Sequence, residues 1–217
     1  MRRFTGQIVA VLGGLAILGG CKSTYYSAME KLGYHKRDLL VDRVEDARDA
    51  QEQAKEQFQS ALEQFTALVG FEGGELEETY KRLNREFERS EDRAEAVHKR
   101  IGDVQDVAKA LFREWKNELD DYTDSRLKNL SEQKLEQTQK RYERLIDAMK
   151  RAEARIDPVL AAFRDQVLFL KHNLNAQAVA SLETELASVR TDVSSLLKAM
   201  EASIAEANAF IKDMSQE

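Results

Sequence analysis

The sequence predicts an all-α protein, an elongated antiparallel four-helix bundle built like a coiled-coil rod, and three observations predict it. Turn residues are scarce: beyond residue 20, Gly occurs only at 33, 70, 73, 74 and 102, and the sole Pro is Pro158. A β-rich chain of 217 residues would need many more of both. Charged residues make up 33% of the chain, and Ala, Glu, Lys, Leu, Arg and Gln dominate, which is the composition of long helices. Third, apolar residues recur in alternating steps of three and four, the spacing of one helix face.

Four stripes carry that spacing. The first runs Leu40, Val44, Ala47, Gln51, Ala54, Phe58, Ala61, Phe65, Leu68. The second runs from Leu76 through Tyr80, Leu83, Phe87, Ser90, Ala94, Val97, Ile101, Val104, Ala108 and Leu111 to Trp115. The third runs from Leu135 through Thr138, Tyr142, Leu145, Met149, Ala152, Ile156, Val159, Phe163 and Val167 to Leu170. The fourth takes Leu182, Leu186, Val189, Val193, Leu196, Met200, Ile204, Ala207, Ile211 and Met214, with two four-residue steps in a row at its middle. Stripes this long mean helices packed side by side at shallow angles.

The breaks fall at Gly70–Gly74, Tyr122–Leu130 and Asn173–Asn175. Connections that short join antiparallel neighbours. Pro158 lies inside the third stripe, where Asp157 as cap and Pro158 as first residue would restart a kinked helix. Connectivity then sets a polarity. The start of the first helix, the Tyr122–Leu130 break and the C-terminus share one end; Gly70–Gly74 and His172–Asn175 share the other. Whether the four helices close on themselves or pair between chains is open in the sequence. Gln51, Ser90 and Thr138 interrupt the stripes and are expected to set register, with Thr138 able to bond back to its own helix.

Residues 1–20 read as a processing segment ahead of this domain. Arg2 and Arg3 give a basic start, Ile8 to Leu18 is apolar or Gly, and Gly19-Gly20 precede Cys21. That is the secretory signal pattern, and the apolar run is shorter than the roughly 20 residues of a membrane span. Leu18-Gly19-Gly20-Cys21 resembles the lipobox of bacterial lipoproteins, in which the Cys is acylated after cleavage. Cys21 is the only cysteine in the chain. The expected organisation is a signal over 1–20, a lipidated tether over 21–24 and a helical domain over 25–217. Lipoproteins of this class are retained at the inner membrane by Asp after the Cys. Lys22 here implies the outer membrane, facing the periplasm. An ordinary signal with an incidental Cys, or an uncleaved anchor, is the alternative. Tyr25 and Tyr26 follow closely enough to sit at a bilayer interface or to belong to a plain tether.

Charge and motifs narrow the function classes. The chain carries a net charge of −6, and losing Arg2 and Arg3 with the leader makes it more acidic. Such a chain is a poor nucleic-acid binder. Phosphate-loop, dinucleotide, nucleophile-elbow and paired-His zinc motifs do not occur, so no catalytic residue is assigned. Glu95-Ala96-Val97-His98 has the spacing used by di-metal bundles, but it occurs once, where those sites use it twice. A surface salt bridge and a surface His explain it better, and no metal or cofactor is expected. The favourably ordered pairs Glu78–Arg82, Glu95–Lys99, Glu136–Lys140 and Asp147–Arg151 read as solvated helix faces. The candidate partner site is the far tip, Phe71 with His172, Asn173, Leu174 and Asn175, into which Leu168 and Phe169 lead. Alternatively, Phe71 and Leu174 fold inward and cap the bundle.

Four blocks carry a resemblance to a family. They are Tyr25-Tyr26-Ser27-Ala28-Met29-Glu30-Lys31, His35-Lys36-Arg37-Asp38, Val107-Ala108-Lys109-Ala110-Leu111-Phe112, and the long run from Pro158-Val159-Leu160-Ala161-Ala162-Phe163 to Lys171-His172-Asn173-Leu174-Asn175. In this order they resemble the proteobacterial domain-of-unknown-function family 2959, over nearly the whole chain beyond the leader. The resemblance implies a helical, often lipoprotein-like chain and brings no catalytic or binding residue with it. The expected function is a membrane-tethered periplasmic lipoprotein with a structural or protein-interaction role, meeting an envelope partner or its own copies. A metal- or hydrophobic-ligand-binding bundle is the other reading.

Overall fold

The computed structural model describes residues 35–70 and 76–216. Cys21, Lys22, Tyr25, Tyr26 and Phe71 lie outside the described residues. The helices all belong to one compact unit, Lys36–Glu217, and among the described residues there is no strand. They are α1 (Lys36–Val69), α2 (Leu76–Glu118), α3 (Ser125–Glu153), α4 (Ile156–His172), α5 (Ala176–Ser181) and α6 (Glu183–Ser215). A single 3-10 turn, Leu119–Asp121, extends α2. The fold is an all-α helical bundle.

The packing order is a ring. Helix α1 lies against α2 and α6, and α3 with α4 lies against the same two from the other side. The four rods therefore close around one core within a single chain. Side chains tie the walls at many levels. Arg100 reaches Asp46 at 3.1 Å, Lys55 reaches Glu201 at 3.0 Å, and Arg164 reaches Glu91 at 2.6 Å. Phe65 and Phe163 meet edge to face with centroids 6.2 Å apart, as do Phe112 and Tyr142 at 5.4 Å.

All nine residues of the first stripe are buried, which is why α1 forms as one uninterrupted helix. The second stripe is buried from Leu83 to Leu111. The fourth stripe needs correcting in its second half. Buried there are Val189, Val193, Leu196, Met200, Ser203, Ala207, Phe210 and Met214, whereas Ile204 and Ile211 stand at the flank. The strict four-three alternation set up by Val189–Met200 carries through and puts a serine inside, so α6 has no double four-residue step there.

Two boundaries differ from the sequence reading. The break before Pro158 is at Ala154–Arg155, and the cap of α4 is Arg155 in place of Asp157. Pro158 stands third in α4, one of the first-turn positions whose N–H has no helical acceptor. The chain relaxes just upstream, where the Arg155 amide donates to Ala152 O at 3.1 Å, a three-residue step. The second difference is the Tyr122–Leu130 loop, which shrinks to Tyr122–Asp124. The Asp124 carboxylate accepts from the amides of Arg126 and Leu127 at 2.8 and 3.2 Å and starts α3 at Ser125.

Candidate functional site

The near end of the bundle is defined by three contacts. Lys36 Nζ, at the start of α1, lies 2.8 Å from Glu114 Oε2 on α2. Arg37 Nη2 donates to the Met214 carbonyl of α6 at 2.6 Å. Trp115 Nε1 donates to Ser131 Oγ at 2.8 Å and fixes α2 against α3. Beyond Glu114 and before Ser131, α2 and α3 run past the level at which α1 begins, by roughly 10 Å at 1.5 Å per residue. No residue from Asp120 to Lys134 is buried. This overshooting hairpin carries three exposed large apolar side chains, Tyr122 (42%), Leu127 (44%) and Leu130 (49%).

The far end is built differently. The Asn173 side chain donates to Phe169 O at 3.0 Å, and the Asn175 side chain accepts from the Ala178 amide at 2.9 Å. Both asparagines of the candidate tip are therefore committed to making the turn. His172, Asn173 and Asn175 are exposed and Leu174 is half-buried. Immediately after the turn, Ala178, Val179 and Leu182 are buried and close the core. The exposed apolar surface lies one turn back on α4, at Leu168 (51%) and Phe169 (40%). The sequence led into the tip through these two and understated them.

The Glu95–His98 spacing does not assemble. His98 turns instead to the break between α3 and α4, with Nδ1 2.9 Å from Glu153 Oε1 and Nε2 3.4 Å from Asp157 Oδ1. A doubly protonated ring donates to both carboxylates, whereas a neutral ring has one N–H to give. Among the described residues, no three His, Cys, Asp or Glu are arranged to hold a metal ion. Glu136 and Lys140 pair at 2.6 Å as expected, whereas Glu78 pairs with Lys81 at 3.0 Å, and Arg82 donates to the Thr79 hydroxyl.

The buried polar residues divide into satisfied and unsatisfied. Thr138 Oγ1 donates to Lys134 O and Ser90 Oγ to Glu86 O, each at 2.8 Å. Both amide atoms of Gln51 and the Ser203 hydroxyl are buried without a partner. The cross-links Lys55–Glu201 and Arg48–Asn208 bracket Gln51 and place its level between Ser203 and Ala207. Near this level Ala47, Ala54, Ala94 and Ala207 are buried on α1, α2 and α6, and α3 contributes buried Leu145 and Met149.

No helix among the described residues is long and apolar enough to cross a membrane. A comparison with curated proteins finds no match. A family profile described as a protein of unknown function, DUF2959, matches residues 25–214. That span takes in every helix of the bundle up to the last turn of α6, and the chain belongs to the DUF2959 family.

Proposed function

We propose that this protein is a non-enzymatic lipoprotein of the bacterial envelope, held through Cys21 at the outer membrane and facing the periplasm, where its helical rod serves a structural or protein-interaction role. One observation carries the reading: a basic start and an apolar run end at Leu18-Gly19-Gly20-Cys21, the chain's only cysteine. Lys22 supports the outer-membrane assignment. The bundle is consistent with it, because its apolar faces are spent on a core closed within the chain, leaving the outer faces and the two ends for contacts.

Cys21→Ser tests the anchor. Loss of acyl label and release from the membrane fraction, or accumulation of unprocessed chain, are expected; unchanged fractionation with no acyl label lost overturns the reading. A photo-reactive residue at Leu168 or Phe169 tests the interaction role in cells. A discrete adduct with one envelope protein, or with a second copy, supports it. A featureless set of adducts that matches a control position on an outer polar face overturns it.

A further inference from the structure

Past Leu119, which is buried, the overshooting hairpin at the near end adds no buried side chain until Leu135. Tyr122 sits in the turn, Leu127 in the first turn of α3, and Leu130 one turn on, on the same helix face. All three are more than two-fifths exposed, and they sit on the part of α2 and α3 that extends past the start of α1. The same end receives the chain from its N-terminal side, since Lys36 is pinned there to Glu114. About fifteen residues separate Cys21 from Lys36 in the sequence, a covalent reach of at most roughly 50 Å. If Cys21 carries lipid, this end is the part of the bundle held closest to the bilayer.

We infer that Tyr122, Leu127 and Leu130 form an end-on contact with the phospholipid surface, seating the α2–α3 hairpin in the headgroup region. The inference rests on the lipid-anchor reading. A tyrosine beside two leucines is the composition favoured at that depth, where the ring lies among acyl chains and its hydroxyl stays wet. The neighbouring charges choose the lipid. Glu118, Asp120, Asp121 and Asp124 stand beside Lys116, Arg126 and Lys128, so the hairpin is not basic and fits a zwitterionic surface better than an anionic one. Such a contact adds a second, weak attachment to the acyl anchor and orients the rod, leaving Leu168 and Phe169 toward the far end away from the bilayer.

The test uses the full chain purified from cell membranes and placed in phosphatidylethanolamine/phosphatidylcholine vesicles. Thiol titration comes first: no reactive thiol is expected, because Cys21 is modified. A reactive Cys21 overturns the anchor reading and this inference with it. Nitroxide labels are then placed singly at Leu127→Cys, Leu130→Cys and Leu168→Cys, and their collision rates with oxygen and with a water-soluble nickel chelate are compared. The labels at 127 and 130 should gain oxygen and lose nickel collisions at least twofold relative to detergent-free polar controls. The label at 168 should keep a water-like ratio. With Cys21 blocked, water-like ratios at 127 and 130 overturn the lipid contact while leaving the anchor in place. Dipolar broadening between copies at 127 or 130 overturns it in favour of self-association. Added anionic lipid should leave the ratios unchanged, and a large gain would overturn the zwitterionic assignment.

Discussion

The two ends of the bundle both expose large apolar side chains, but for different reasons. At the near end, exposure follows from length: α2 and α3 outrun the start of α1, and Asp120–Lys134 contains no buried residue. At the far end the turn is tied by Asn173 and Asn175, and Ala178, Val179 and Leu182 fold in at once. Exposure there is a matter of which α4 face Leu168 and Phe169 occupy. The near patch therefore sits at an end of the rod, and the far patch sits on the flank of α4. A terminal patch suits a surface met end-on, and a flank patch suits a partner lying alongside.

The largest test of this contrast is stability. Leu170, in the last turn of α4, is fully buried, and Leu170→Ala should cost about 2–5 kcal/mol in urea unfolding. Leu130→Ala at the near end should change stability by no more than about 0.5 kcal/mol. If both cost the same, the hairpin is packed and the distinction between the ends fails. Next come the caps. Asp124→Ala and Asn175→Ala should each lose about 1 kcal/mol of helix stability. Their reach should differ. With no buried side chain before Leu135 to hold it, α3 should fray from Ser125 toward Ser131 and lose amide protection over that stretch, whereas loss at Asn175 should stop at buried Ala178 and Val179.

The sequence shows the same division of legibility. All nine members of the α1 stripe are buried because one register runs unbroken from Leu40 to Leu68. The sequence shows the near-end hairpin as a loop, because a helical stretch with no buried face leaves no stripe. The signal that could have found it was Asp124 ahead of Ser125, a cap. In α6, choosing the more apolar neighbour picked Ile204 and Ile211, but register outweighs hydrophobicity and places Ser203 and Phe210 inside. The far tip was legible as a turn and obscure as a site, since its asparagines are used up by the backbone. The His98 partners could not be read at all, because Glu153 and Asp157 lie on other helical segments, more than fifty residues away.

Between the ends, the Gln51–Ser203 level gives a prediction of opposite sign. Three buried polar atoms without partners carry an uncompensated desolvation cost of about 1–3 kcal/mol per group. Gln51→Met keeps the length of the side chain and removes the amide, and Ser203→Ala removes the hydroxyl. Each should raise the urea midpoint, and together they should add about 1 kcal/mol or more to the unfolding free energy. The pair should also loosen the register that a buried polar residue enforces, seen as broader amide resonances near Ala47 and Ala207. A drop in midpoint would mean that the amide is bonded in solution, and that the middle of the rod is as fully satisfied as the capped far end.

The smallest effect is expected at His98. It bridges the last residue of α3 and the first turn of α4, so it could be taken for the clamp that holds the two segments in line. The geometry argues for a minor role in stability. The His98 side chain is 36% exposed and Asp157 is 79% exposed, so water competes for both bonds. Ile156, Val159 and Ala152, all buried, already fix both sides of the break against the core. His98→Ala should therefore shift stability by less than about 1 kcal/mol. A loss as large as that at Leu170 would show that the break near Pro158 is held by its surface bonds. The rod would then have a hinge between its two ends, and the far patch could swing independently of the near one.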